Sequence, residues 1–103
     1  MKRGAVLIEA SDLCGGRIPG AKQDVALLNE LLISDLGGAW ESSEIIILIN
    51  PSYHQIINAI ATLASVGYAF ISYSGHGYHA EELDETKVCT IESQGKPYWM
   101  PIS

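Results

Sequence analysis

The chain predicts an α/β fold, a three-layer sandwich in which a mainly parallel sheet lies between helices. Three observations predict it. Short apolar runs alternate with longer stretches of helical periodicity, in the order strand, helix, strand, helix, strand. That order implies right-handed βαβ units and a sheet with helices packed on its faces. Glycine and proline punctuate the junctions, and the second apolar run is continuous isoleucine and leucine, which suits a strand covered on both sides.

The first strand is read over Gly4 to Glu9, where Glu9 ends the apolar run. Met1-Lys2-Arg3 ahead of it is therefore not the start of a signal peptide. Ala10 to Gly20 is a glycine-rich loop carrying Asp12 and Arg17. Ala21 to Ser34 reads as a helix, with Ala21, Val25, Leu28, Leu31 and Leu32 on its apolar face. Gly37-Gly38 closes that region, and Ser43 or Glu44 to Ile49 is the second strand. Asn50-Pro51-Ser52 breaks it, and Ser52 is a good N-cap for a helix from Tyr53 to Ser65. Ile56, Ile60, Leu63 and Ala64 define its buried face. Gly67 closes that helix and leads into the third strand, Tyr68 to Ser72. Beyond Gly77 come an acidic loop (Glu81, Glu82, Asp84, Glu85) and two short strands, Val88 to Ile91 and Tyr98 to Met100. They flank Ser93-Gln94-Gly95-Lys96, a hairpin turn.

With 103 residues, 48% of them hydrophobic, the chain has room for one small domain with a core. A net charge of −6 argues against nucleic acid, because phosphate neutralisation needs clustered Lys and Arg. No apolar run is long enough to span a bilayer as a helix. Two cysteines, Cys14 and Cys89, stand far apart without C-x-x-C spacing. They read as free thiols in a reducing, cytoplasmic setting rather than as a disulfide scaffold or zinc ribbon.

The chemistry concentrates in Tyr73-Ser74-Gly75-His76-Gly77, directly after the third strand. In open α/β sheets the reactive crevice lies at the carboxyl ends of the strands. A histidine held there between glycines can act as a general base, with the Gly77 N–H as an oxyanion donor beside it. The plain alternative is a polar turn residue, since so short a motif often occurs without function.

This pentad, in its strand context, resembles the amino-terminal half of a caspase-like peptidase domain, closest to metacaspases and their prokaryotic relatives. Ile18-Pro19-Gly20-Ala21-Lys22-Gln23-Asp24-Val25 is similar to the family's Leu-Pro-Gly-Cys-x-Asn-Asp-Val/Ala segment at the start of the first helix. Lys2-Arg3-Gly4-Ala5-Val6-Leu7-Ile8 is similar to its Lys-Arg-Ala-Leu-Leu-Ile-Gly start. The resemblance spans residues 2 to about 77. It implies an incomplete caspase-like sandwich of about three core strands and two helices, with a C-terminal hairpin.

It also implies a cysteine endopeptidase. His76 matches the catalytic histidine, Gly77 the oxyanion donor, and Asp24 and Ser74 the pocket for the substrate residue before the scissile bond. An acidic pocket favours Arg or Lys there, with Arg17 a nearby complication. Two departures stand out. Ala21 replaces a secondary cysteine found in many metacaspases. No Asp-x-Cys-x-Ser-Gly nucleophile segment occurs in the chain. Cys14 reads as an ordinary loop thiol and Cys89 as a small buried hydrophobe.

No metal site is expected. His76 and His79 lack zincin spacing, and Glu81, Glu82, Asp84 and Glu85 lack an EF-hand pattern. Calcium enters only because many metacaspases depend on it. The expected partners are a peptide or protein substrate and something that completes the sheet: a C-terminal continuation, a second processed chain or another copy. The alternative function is a catalytically inactive, truncated caspase-like module that acts in protein–protein interaction or regulation, pairing through the open edge of the third strand. A nucleotide-binding α/β domain ranks last, for want of a Gly-x-Gly-x-x-Gly or Walker loop.

Overall fold

The computed structural model describes residues 2–12, 19–80, 85–92 and 96–101, with the backbone alone at Pro19 and at 77–80. The fold is mixed α/β. Its strands are β1 (Arg3–Ala10), β2 (Ile45–Ile49) and β3 (Tyr68–Gly75), joined through helices α1 (Pro19–Ile33) and α2 (Tyr53–Thr62). Both neighbours run parallel to β1, giving the order β2-β1-β3. Three antiparallel strands follow, β4 (Gly77–Ala80), β5 (Glu85–Ile91) and β6 (Pro97–Pro101), in sequence order.

Central β1 is buried along nearly its whole length, because it has a strand on each side and a helix on each face. Side chains alternate along a strand, and the core divides accordingly. Ala5 and Leu7 pack with Val25, Leu32 and Trp40 on the α1 face. Val6 and Ile8 pack with Ile56, Ala59, Val88 and Met100 on the α2 face, so the antiparallel sheet closes the second layer. Tyr53 in the first turn of α2 meets the Tyr98 ring of β6 edge-on at 5.0 Å.

The helices begin where side chains satisfy their ends. Pro19 opens α1, a position where its missing N–H costs nothing. Ser52 caps α2 by accepting from the Gln55 N–H, while the Gln55 side chain accepts from the Ser52 N–H. The α2 helix passes into a short 3-10 turn at Leu63–Ser65, and Ala59 rather than Ala64 completes its buried face.

Several expectations are corrected. The second strand is an edge strand with Ile47 42% and Ile49 63% exposed, so its apolar run is not covered on both sides. Residues 77–80, given no element by the sequence, form β4, and Glu85, read as part of an acidic loop, opens β5, because the backbones of 77–80 and 85–88 pair with each other. Cys89 is fully buried and disulfide-bonded, not a free thiol. The chain's other cysteine, Cys14, lies outside the described residues, as do Arg17, Glu81, Glu82 and Asp84. Among the described residues no helix is long and apolar enough to cross a membrane.

Candidate functional site

Strand β3 carries the candidate site at its carboxyl end, and the junction to β4 is built around His76. The strand must come close to β1 there. A Cβ on Gly75 would sit 2.8 Å from the Ala10 Cβ, 2.8 Å from the Tyr73 hydroxyl and 3.0 Å from the Ala10 carbonyl oxygen. Only glycine leaves that space open.

Tyr73 then fixes the turn. Its hydroxyl lies 2.7 Å from the Cys89 carbonyl oxygen and 3.0 Å from that of His76, and shares its proton between them. Burial pushes the Tyr73 phenol up to about 12 from its ordinary 10.0. The Cys89 N–H donates to the His76 carbonyl at 2.9 Å. The histidine backbone is thus held from β3 and from β5. Its Nε2 is buried without a hydrogen-bond partner.

Gly77 lies opposite Val88 in the antiparallel register. The Cys89-to-His76 bond makes the preceding position a hydrogen-bonded pair. Pairs alternate in antiparallel ladders, so the Gly77 N–H points away from β5, toward the open edge of β4.

Asp24 and Ser74, fifty residues apart in sequence, line one cavity of about 400 Å³ between α1 and β3. Asp24, Leu27, Leu28 and Leu31 follow i, i+3, i+4, i+7 spacing and make one helix stripe. Ser72 and Ser74 face them from alternate positions of β3. The apolar seam of α1 is therefore Ala21, Val25, Leu28 and Leu32, while Leu31, expected on that seam, is 50% exposed beside the cavity. Leucine walls suit the methylenes of a long side chain, and a carboxylate suits a cationic head.

Two residues of this region carry more than the sequence reading gave them. Ser72, taken only as the end of a strand, has a buried Oγ without a partner. Glu9, taken only as the end of an apolar run, is buried at 6% exposure and accepts from the Ser11 hydroxyl at 3.0 Å. It stands across from Ser74 in the parallel register. Both could have been found from strand alternation, since an acid or hydroxyl on a covered strand face must be answered by something polar.

Asn50, in the left-handed region at φ 46°, ties the end of β2 to the loop after β1. Its Oδ1 accepts from the Asp12 N–H at 3.0 Å and its N–H donates to the Glu9 carbonyl. Among the described residues no group of three or more His, Cys, Asp or Glu side chains is arranged to hold a metal ion. Of the proposed calcium ligands, Glu85 opens β5 and the others lie outside the described residues.

No protein-family model matches the chain, and neither a curated protein nor a solved structure matches it. Fold and site together define an α/β domain with a histidine at the carboxyl end of its sheet and an acidic, leucine-walled cavity beside the same strand.

Proposed function

We propose that this chain is the histidine-bearing portion of a cysteine endopeptidase domain of the caspase and metacaspase type, acting after basic residues. The observation that supports it most is that Asp24 and Ser74 line one cavity beside the strand that leads to His76. A lysine or arginine of the substrate lies along Leu27, Leu28 and Leu31 with its charge on Asp24. His76 takes the proton of a cysteine thiol. The thiolate attacks the scissile carbonyl, and the Gly77 N–H donates to the oxyanion that forms.

On this reading the thiol comes from outside these 103 residues, because the chain has no Asp-x-Cys-x-Ser-Gly segment. Its source is a continuation, a second processed chain or another copy that completes the sheet. The chain works in the cytoplasm on this reading, where thiols are kept reduced, so the Cys89 bond would open there.

A second reading, an inactive module that binds a protein partner, is favoured by the open edge of β3. Among the described residues that strand pairs only with β1; it carries no charged residue over Tyr68–Gly75 and leaves Ile71 half exposed.

The two readings separate by fluorescence polarisation with labelled peptides carrying arginine, lysine or aspartate at one central position. The peptidase reading expects binding of the basic peptides alone, lost in Asp24→Asn. Equal binding of all three, or none, removes it and leaves the partner-binding module. Hydrolysis of basic peptides by the chain itself, lost in His76→Ala, would overturn the external nucleophile.

A further inference from the structure

Cys89 is the point from which the antiparallel sheet holds His76. Its N–H donates to the His76 carbonyl at 2.9 Å. Its own carbonyl accepts from the Tyr73 hydroxyl at 2.7 Å, and that hydroxyl lies 3.0 Å from the His76 carbonyl. Cys89 is fully buried and disulfide-bonded. The chain has one other cysteine, Cys14, which falls in sequence between the end of β1 and the start of α1. A bond within one chain is therefore to Cys14, and it ties the segment after β1 to the strand that holds the histidine. The His76 Nε2, meanwhile, is closed off from solvent and has no hydrogen-bond partner. A buried polar atom is normally paired, and leaving it unpaired is costly. Exposure of the imidazole to water would recover that cost. The buried setting therefore needs a constraint, and the covalent bond at Cys89 is one.

We infer that the Cys89 disulfide is a redox switch on His76. Oxidised, it keeps the imidazole shut in; reduced, it lets β5 loosen and the Nε2 meet an incoming thiol. The inference rests on the reading of His76 as the base of a cysteine peptidase, and adds the condition under which that base acts. The reductant is a small monothiol of the glutathione class. Cys89 has no exposed surface, so the monothiolate attacks the partner sulfur and Cys89 leaves as a thiolate, which takes up a proton. A second monothiol then resolves the mixed disulfide. One protein disulfide and two monothiols thus give two protein thiols and one small disulfide. The reverse exchange, with that small disulfide as oxidant, closes the site again. The hydrogen bonds from Cys89 and Tyr73 survive the cleavage, so the opening is local rather than global.

The test is diethyl pyrocarbonate labelling of the oxidised chain and of the chain reduced with glutathione and then freed of it, read by mass spectrometry at each histidine. Exposed His54 on α2 is the internal reference, and circular dichroism reports the fold. The expected result is His76 labelled roughly tenfold faster after reduction, with His54 changed about twofold or less. Cys14→Ser removes the bond and leaves β5 as it is, and should label His76 at the reduced rate without any reductant. Equal His76 rates with the bond open overturn the switch. So does a bond that resists glutathione in the folded chain, or general unfolding on reduction, since the disulfide is then a structural staple. Those three results leave the peptidase reading standing, because labelling uses no peptide. Failure of basic peptides to bind in either redox state removes that reading, and the role of His76 as a base with it.

Discussion

The two faces of β3 border cavities of nearly equal size and opposite chemistry. On the α2 side a cavity of about 400 Å³ is lined by Ile8, Ile56, Ile60, Ile71, Tyr73, Val88, Met100 and Pro101, with no charged side chain. On the α1 side the cavity of about 400 Å³ is lined by Asp24, Ser72 and Ser74 together with Tyr73 and three leucines. One strand serves both, because successive side chains point to opposite faces. Ile71 borders the α2-side cavity, Ser72 and Ser74 border the α1-side one, and Tyr73 borders both. Which side chains face each cavity depends on register: a shift by one residue would bury the serines in the core and turn Ile71 toward Asp24.

The largest test of that division concerns what pins the end of β3. Reducing the Cys89 disulfide should lower stability by about 2–4 kcal/mol, read as a lower urea midpoint in dithiothreitol. An unchanged midpoint would mean that the bond adds nothing to the stability of the fold. Next comes Gly75→Ala, whose methyl meets Ala10 and the Tyr73 hydroxyl. It should cost about 1–3 kcal/mol, the usual range for overpacking, and shift the His76 imidazole resonances in NMR.

Tyr73→Phe removes the shared hydroxyl proton and should cost about 1 kcal/mol near neutral pH. The folded phenol titrates near 12, above its ordinary 10.0. The stability it contributes is therefore fully present below pH 10 and is lost as pH rises toward 12. Wild type should lose its advantage over Tyr73→Phe across that interval, and a constant difference would exclude the buried phenol as its cause. The smallest effect on folding is expected from Ile71→Lys at the open edge, about 1 kcal/mol or less for a half-exposed side chain. A lysine there blocks edge pairing, so sedimentation of wild type should show self-association at high concentration that the variant lacks. A monomeric wild type would remove the second copy from the candidates that complete the sheet.

The βαβαβ order was legible because each element has a strong local signal. β1 and β2 are continuous apolar runs, α2 has a serine cap three residues before a glutamine, and the third strand leads into glycines. The edge position of β2 was not legible, since a run of isoleucines reads the same whether or not a layer covers it. Nor was β4, whose four residues have no pattern of their own and take their conformation from β5. Asp24 and Ser74 were singled out by resemblance to a motif, and the shared cavity gives them a physical relation that spacing alone does not contain. Ser72 escaped notice because an orphaned hydroxyl is a property of packing, visible only once α1 is set against β3.

The most direct measurement is nitrogen-15 NMR of the labelled chain titrated with an arginine-containing peptide amide. The account predicts chemical-shift changes gathered at Asp24, Leu27 to Leu31, Ser72 and Ser74, with Ile56, Ile60 and Met100 on the opposite face unmoved. Shifts gathered on the apolar α2 side, or spread evenly over the acidic surface, would contradict it.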